Sequence, residues 1–447
     1  MYDELKFSNC NHSKDPLIGC ALEGVSSVIA GIKDVSIVIH SPQGCSSTVA
    51  SAFDSHEVDF TKRKVGCTRL FESDIILGAS EKLTNLIKDA DNTFNTKVMF
   101  VVGTCAADII GEDIKGLCDS LQSEIKSKLI PVFAGGFRGN AYDGIDIGLK
   151  ELLNFIEKSE DKIANTVNII APQGSINPTW WADLNWLKSS LDFLGIRVQT
   201  IIPYDISLED LKDASKASAN ILLSQDVGYK FCKKMEEEFN VPLILNDIPL
   251  PIGLENTARW LRELGKYFKV EKRVEKLIKQ GEDSVISILR RRALMIIPRY
   301  RNCKIAISAD ATMGIGLVRM LFKELEMIPE LILLRSSNSE MSKILDKELK
   351  ELCINPKVAF GVDGYQIKEA LKSVYVDSII GSSWEKYIGE EVGIKLAFDN
   401  FSPTNRDVYV DRAYMGYDGM LNMLEIIGND WERAYRSKEI DWAESFK

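Results

Sequence analysis

Three cysteines of this 447-residue chain share one local setting, in which the thiol directly follows a glycine or a glycine and one further residue. The three segments are Gly19 before Cys20, Gly44 before Cys45, and Gly103 and Thr104 before Cys105. A thiolate at the start of a helix is stabilised by the local positive potential and by free N–H groups. Glycine allows the backbone to approach a bulky anionic ligand. The repeated pattern therefore indicates that the three cysteines bind an iron–sulfur cluster.

The elements that position these cysteines are predicted to be strands and helices of a parallel sheet. Residues 35–40 (VSIVIH) form an apolar run, which leads through a turn to a helix-compatible stretch from Cys45. Residues 97–102 (KVMFVV) lead in the same way to Cys105. Because the carboxyl ends of parallel strands share one edge of a sheet, we expect both thiols at that edge. Cys20 opens its own helical run, and we expect it at the same place.

The sequence around the other cysteines indicates cluster binding less strongly. Cys67 also follows a glycine, but the residues before it are charged rather than apolar, so its position near the cluster is left open. The remaining five lie in polar, apolar or helical segments without a glycine turn and are interpreted as inert: Cys10, Cys118, Cys232, Cys303 and Cys353. Nine cysteines in an intracellular chain favour metal binding, redox chemistry or burial over disulfides.

Composition excludes several classes of function. The net charge of −10 argues against nucleic-acid binding, and no apolar run is long enough to span a membrane. The polar N-terminus does not look like a signal peptide, so we expect a cytoplasmic protein. Three histidines leave little for a histidine-rich metal site. His40, at the end of the strand before Cys45, is either a residue beside the cluster or a core residue.

Repeated strand–helix units along the chain predict three α/β domains with parallel sheets. The sequence contains no phosphate-binding loop of the Walker type, so an ATP-driven step would belong to another protein.

Eight segments, in order along nearly the whole chain, resemble blocks of the nitrogenase component 1 family. The cysteine blocks are the most distinctive: DPLIGCALEGV, SIVIHSPQGCSS, CTRLFESDIILGASEKL and VVGTCAADIIGEDI. The others are VPLILNDIPLPIGLENTARWLREL, KIAISADATMGIGLVRML, VDSIIGSSWEKYI and AYMGYDGMLNMLE. The resemblance implies three Rossmann-like domains. We assign the first to residues 1–163, completed by 397–447, the second to 164–300 and the third to 301–396.

The resemblance also implies a role for the cysteines. Cys20, Cys45 and Cys105 match the three with which each component 1 subunit holds its side of an interfacial P-cluster, and the neighbouring Gly19, Gly44, Gly103 and Thr104 become candidate cofactor-binding residues. Three thiolates leave a 4Fe–4S cluster one ligand short. The chain would then borrow a ligand from a partner or share a larger, eight-iron cluster with it, in a heterotetramer built as a two-fold pair of heterodimers.

Two departures from the family pattern qualify the resemblance. Nitrogenase α subunits hold the catalytic metal cofactor with one cysteine and one histidine, and local alignment puts Ser224 and Met415 there, neither a strong ligand. The chain therefore resembles a β-type subunit, although one cysteine block looks more α-like, as in a divergent nitrogenase-like protein.

The resemblance thus implies an oxidoreductase subunit whose cluster relays electrons to a partner active site. An ATP-dependent iron–sulfur reductase resembling the nitrogenase iron protein would supply the electrons. The partner would be an α-type component 1 subunit or a second copy of this chain. Two alternatives remain: a scaffold for assembly of the nitrogenase metal cofactor, and a subunit of a nitrogenase-like reductase of a tetrapyrrole or organosulfur substrate.

Overall fold

The structure is a computed structural model that describes residues 2–7, 19–172, 174, 176–336, 339–394, 396–402, 404, 406 and 408–436. Strands and helices alternate along these residues. The strands are β1 (Asp3–Glu4), β2 (Val35–His40), β3 (Lys64–Cys67), β4 (Val98–Gly103), β5 (Lys128–Phe133), β6 (Ile163–Ile170), β7 (Arg197–Ile202), β8 (Ala217–Leu222), β9 (Leu243–Ile244), β10 (Lys304–Ala309), β11 (Ile328–Leu334), β12 (Lys357–Phe360), β13 (Ser378–Gly381) and β14 (Leu396–Asp399).

The α-helices are α1 (Ala21–Ala30), α2 (Cys45–Ser55), α3 (Glu72–Leu77), α4 (Ser80–Phe94), α5 (Cys105–Ile110), α6 (Ile114–Leu121), α7 (Ala141–Leu152), α8 (Trp180–Leu194), α9 (Leu208–Lys212), α10 (Tyr229–Phe239), α11 (Leu254–Phe268), α12 (Glu271–Tyr300), α13 (Ala311–Arg319), α14 (Ser339–Leu352), α15 (Gly364–Ser373), α16 (Ser383–Val392) and α17 (Gly416–Arg436). Among the described residues, no helix is both long enough and apolar enough to cross a membrane.

The strands form three sheets. The first has the order β3-β2-β4-β5, the second β7-β6-β8-β9 and the third β1-β12-β11-β10-β13-β14. Neighbouring strands of the first sheet run parallel throughout, with Cys67 opposite Ile39 and Gly103 opposite His40. The predicted α/β class with parallel sheets is confirmed.

The chain divides into two compact units. The described residues of 16–175 and 198–244 form one of them, which we call the cysteine unit; it holds the first sheet and nearly all of the second. Those of 1–15, 176–197 and 245–447 form the other, which we call the C-terminal unit; it holds the third sheet.

The predicted domain limits can be compared with these elements. The limit at 300 coincides with the end of α12, whereas those at 163 and 396 fall on the first residues of β6 and β14. The described part of 397–447 lies in the C-terminal unit, where α17 packs against α11, α12 and β14. Completion of the first domain by this segment therefore stays a prediction.

The two central strands of the first sheet are buried along their whole length. Every residue of β2 and β4 is buried, which explains why both read as continuous apolar runs rather than as alternating patterns. The helices α4 and α6 cover one face with the buried side chains of Leu83, Ile87 and Ile114. This packing fixes the carboxyl ends of β2 and β4, from which two of the candidate cysteines follow.

Close packing of α1 against α7 fixes the position of the third candidate cysteine, Cys20. A Cβ atom added to Gly24 of α1 would lie 2.0 Å from the carbonyl oxygen of Ala141, and one added to Gly144 would lie 2.1 Å from that of Ala21. The two helices can touch backbone to backbone only because glycine occupies both positions. The backbone N–H of Ala21 also donates to the carbonyl of Gly139, at 3.1 Å. These contacts hold the start of α1, where Cys20 lies.

Candidate metal centre

The three predicted cysteines all lie at helix starts. Cys20 is the N-cap residue of α1, with an extended backbone at φ −78° and ψ 174°. Cys45 and Cys105 are the first residues of α2 and α5. The helix starts predicted for these cysteines are thus observed, and their role as metal ligands stays a prediction.

Gly136, which the sequence analysis did not single out, lies beside two of the three cysteines. The backbone N–H of Gly136 donates to Cys105 Sγ at 2.9 Å. A Cβ atom added to Gly136 would lie 3.3 Å from Cys105 Sγ and 3.5 Å from Cys20 Cβ. Both cysteines therefore border the same glycine. Its signal in the sequence is the glycine pair after β5, residues 135 and 136.

Ser41 lies close to both Cys45 and Cys67. The hydroxyl of Ser41, which is fully buried, lies 3.5 Å from Cys67 Sγ. Burial raises the pKa of the Cys45 thiol, a hydrogen bond with Ser41 lowers it, and the charges of Cys20, Cys105 and Cys67 raise it further. All four thiols are half-buried, and Cys20, Cys105 and Cys67 each lie close enough to Cys45 to act on it. The structure thus brings Cys67, whose place the sequence left open, to the other three.

The four residues flanking the cysteines have different surroundings. A Cβ atom on Gly44 would meet no atom within 4 Å, whereas one on Gly103 would lie 2.5 Å from Ile114 Cδ1. The Thr104 hydroxyl donates to the backbone carbonyl of His40 at 2.9 Å. Gly103 and Thr104 thus have packing roles in the turn before α5. The open space lies beside Gly44.

Gly19 has a carboxylate beside it. A Cβ atom at Gly19 would lie 1.5 Å from Glu23 Oε2, so the Glu23 side chain fills this space. Burial raises the pKa of Glu23. The sequence analysis gave Glu23 no role, since a glutamate in the first turn of a helix is ordinary.

His40 is a fully buried residue whose two ring nitrogens have no hydrogen-bond partner among the described residues. Burial lowers the pKa of His40, against the opposing fields of Glu112 and Asp74. These surroundings favour the interpretation of His40 as a neutral core residue at the end of β2.

Exposed apolar side chains lie on the elements that carry the cysteines. Phe71 follows β3, Ile76 and Leu77 end α3, Ile109 lies on α5, and Phe137 follows Gly136; these five residues are called the apolar rim, and each is at least 62% exposed. The helix α3 packs against α5, and Arg138 pairs with Asp108 of α5 at 2.9 Å. An apolar surface of this kind is typical of a protein interface.

The donor set favours one kind of metal. In the part of the chain that the structure describes, no group of three or more histidine, cysteine, aspartate or glutamate side chains is placed to hold a single ion. Thiols grouped without other ligand types suit an iron–sulfur cluster, in which different thiolates bind different irons. The residues present therefore fit such a cluster.

The two positions aligned with the α-subunit cofactor ligands are ordinary buried residues. The Ser224 hydroxyl donates to Asp226 Oδ2 at 3.3 Å, in the cysteine unit. The backbone N–H of Met415 donates to Asp183 Oδ1 at 2.7 Å, in the C-terminal unit. Neither position has the ligand chemistry of that cofactor site.

The C-terminal unit contains a cavity of about 240 Å³ that the sequence analysis did not predict. Asn400, Arg406, Tyr409 and Asn422 are among the residues that line it. Asn400 is 2% exposed, and neither atom of its amide group has a partner among the described residues. Buried amides normally find partners, so the cavity is a place where water or a polar group can bind.

Comparison with known proteins gives a consistent result. The family model described as nitrogenase component 1 type oxidoreductase matches residues 20–432. The molybdenum–iron protein β chain of Methanococcus maripaludis is 26% identical over 96% of this chain and 96% of its own length. The vanadium–iron protein β chain of Trichormus variabilis is 25% identical over 93% of each chain.

A cofactor biosynthesis protein and a solved structure are similar as well. The iron–molybdenum cofactor biosynthesis protein NifE of Methanococcus maripaludis is 26% identical over 91% of this chain and 82% of its own. The structure of nitrogenase Cp1 at pH 6.5 has a TM-score of 0.78 with 19% identity, covering 99% of this chain and 97% of that one. The fold is therefore that of this structure.

Proposed function

The chain belongs to the family of nitrogenase component 1 type oxidoreductases, and on that premise we propose that it is a β-type subunit holding an iron–sulfur cluster on Cys20, Cys45 and Cys105. The observation that carries this proposal is the grouping of these thiols, each at a helix start. When bound, the cluster supplies one-electron redox chemistry.

The chain's own residues would bind the cluster and tune it. The Gly136 N–H donates to Cys105 Sγ at 2.9 Å. Hydrogen bonds from backbone N–H groups to ligand sulfur raise the reduction potential of a cluster, because they stabilise the electron-rich reduced state. Half-burial of the thiols limits the access of water.

The apolar rim supports a partner at this face. Ile76 and Leu77 are 81% and 84% exposed, and such side chains on the cysteine-bearing elements favour an interface beside the cluster. We assign the partner as an α-type component 1 subunit, which would hold the active site that receives the electrons. A separate ATP-hydrolysing iron–sulfur reductase would supply them, since the chain has no Walker loop of its own.

A second candidate function is favoured by one comparison. The similarity to NifE supports a scaffold on which a metal cofactor is assembled before it is transferred. The two functions differ in what happens to bound metal. A relay subunit keeps its cluster while reductase and substrate turn over, whereas a scaffold passes its metal to an acceptor protein.

The test begins with anaerobic purification of the chain together with an α-type component 1 subunit from the same organism. Iron and sulfide content and EPR spectra are compared for wild type, Cys45→Ala, Cys105→Ala and Cys353→Ala. Cys353 is an exposed cysteine of the C-terminal unit and serves as the control. We expect the cluster signal in wild type and Cys353→Ala and its loss in the other two. Iron-free wild-type protein would overturn the proposal.

The interface is tested separately by Ile76→Glu, with Leu294→Glu as control. Leu294 is 93% exposed on α12, in the C-terminal unit. A carboxylate buried at the rim would stay unpaired, so we expect Ile76→Glu to weaken association with the partner at least tenfold, and Leu294→Glu to leave it unchanged. Equal association of both variants, measured by analytical ultracentrifugation, would refute a partner at the apolar rim.

A further inference from the structure

We propose that Cys67 is the fourth thiolate of the cluster site, so that this chain alone completes the ligand set of a 4Fe–4S cluster. The inference rests on the proposed function, because it concerns the same site. The family resemblance implies three cysteines and a missing ligand from a partner; Cys67 would supply that ligand within the chain.

The sheet places Cys67 beside the other ligands. It is the last residue of β3, which pairs with β2 so that Cys67 lies opposite Ile39. Ser41 follows β2 directly, and its hydroxyl lies 3.5 Å from Cys67 Sγ. The carbonyl oxygen of Pro42 lies 4.0 Å from Cys67 Sγ and accepts the backbone N–H of Cys45 at 3.2 Å. Cys67 therefore lies beside the turn that leads to a cysteine already assigned to the cluster.

The surroundings of the Cys67 sulfur are also those of a cluster ligand. The backbone N–H of Arg69 points to Cys67 Sγ at 3.4 Å, just as the N–H of Gly136 points to Cys105 Sγ at 2.9 Å. Such N–H groups stabilise a thiolate and cluster sulfur. Cys67 is half-buried, as are the three cysteines at helix starts.

The grouping of four thiols has an electrostatic consequence. The neighbouring parallel strands β3, β2 and β4 bring Cys67, Cys45 and Cys105 to one edge of the first sheet. Four thiolates in one half-buried place would repel one another unless a cation lay between them. An iron–sulfur core supplies that positive charge and takes four thiolate ligands. The buried thiols Cys118 and Cys232 differ, because burial, with smaller contributions from neighbouring carboxylates, raises their pKa strongly and leaves them inert.

The first test uses this chain expressed without any partner in a host that makes iron–sulfur clusters. We expect about four irons and four sulfides per wild-type chain. In Cys67→Ala, iron content should fall at least twofold, as in Cys20→Ala, whereas Cys353→Ala should match wild type. Wild-type iron content and an unchanged EPR spectrum in Cys67→Ala would overturn the fourth ligand and leave the three-cysteine function intact.

A wild-type chain that holds iron only with its partner would also overturn a complete site within one chain. Iron-free wild type with and without the partner would instead refute the proposed function itself.

A second measurement does not depend on how a variant folds. Wild-type protein is treated with a maleimide before and after iron is removed by chelation, and labelled cysteines are identified by mass spectrometry. We expect Cys67 to react only after removal of iron and Cys353 to react in both states. Equal labelling of Cys67 in the two states would overturn the proposal.

Discussion

Substitution of Gly24 by alanine tests whether helix packing sets the position of Cys20. Gly24 lies on α1, three residues after its first residue, and faces α7. A Cβ atom there would lie 2.0 Å from the Ala141 carbonyl oxygen and 2.5 Å from the Ile145 nitrogen. Both contacts are with backbone atoms, which cannot rotate away as a side chain does. The helices α1 and α7 would have to separate by about 1 Å.

The expected change in the free energy of unfolding is the difference between two opposing effects. Alanine stabilises a helix interior by about 1 kcal/mol relative to glycine. Overpacking of a close contact costs about 1–3 kcal/mol, and contact with fixed backbone atoms belongs at the upper end. We therefore expect Gly24→Ala to lower the free energy of unfolding by about 2 kcal/mol. Since Cys20 caps the displaced helix, iron occupancy should fall as well.

The assay is urea unfolding of the iron-free protein followed by circular dichroism, so that loss of metal does not add to the change. At slopes of about 2 kcal/mol per molar urea or more, the midpoint should shift by up to about 1 M. Gly44→Ala is the matched control, because its Cβ atom would meet no atom within 4 Å. A Gly24→Ala midpoint equal to wild type would refute the close packing of α1 on α7.

Three further outcomes are expected. Gly44→Ala should keep the unfolding midpoint of the iron-free protein, because its Cβ atom would meet no atom within 4 Å. It should lower iron occupancy after reconstitution at least twofold, because the added methyl group would crowd the cluster proposed on the adjacent Cys45. His56 is fully buried, and burial lowers its pKa to about 4. Between about pH 4 and 6.5, His56 is therefore protonated to a greater extent in the unfolded protein than in the folded protein. Wild type should therefore lose up to about 3 kcal/mol of stability as the pH falls through this range, and His56→Phe should lose less, as measured by urea unfolding at each pH. Arg319→Met should cost about 1.5–3 kcal/mol in the same assay, because Glu348, which is 1% exposed, loses its partner at 2.8 Å and keeps only Arg259 at 2.7 Å. The double variant Arg319→Met/Glu348→Leu should recover most of that loss, and a double variant as unstable as the single one would contradict the explanation.

The sequence predicts those parts of the site that follow directly from a buried strand. Cys45 and Cys105 each come a few residues after a continuous apolar run, and both β2 and β4 have the expected limits within a residue. A parallel sheet then brings the ends of both strands to one edge whatever the order of the other strands. For this reason the grouping of the two cysteines could be inferred without coordinates.

Cys67 and Gly136 depend on strand order, which local patterns do not specify. The strand β3 has four residues, all half-buried, so it lacks the apolar signal of β2 and β4. Only its pairing at the edge of β2 brings Cys67 to Ser41. Gly136 follows β5, and the pairing of β5 with β4 brings it to Cys105.

The four cysteines are therefore held in two different ways. The first sheet holds Cys45, Cys67 and Cys105, since each lies at or just beyond the carboxyl end of a strand in the row β3-β2-β4. Cys20 lies outside the sheet, and its position depends on the contact of α1 with α7 and on the pairing of Cys20 with Asn140. Parallel ladders between buried strands open only with global unfolding, whereas a helix end can shift or fray locally at lower cost. Hydrogen exchange of the iron-free protein should accordingly be faster at the first turn of α1 than in β2 and β4. If exchange at α1 were as slow as in those strands, Cys20 would be as rigidly placed as the other three cysteines, contrary to this expectation.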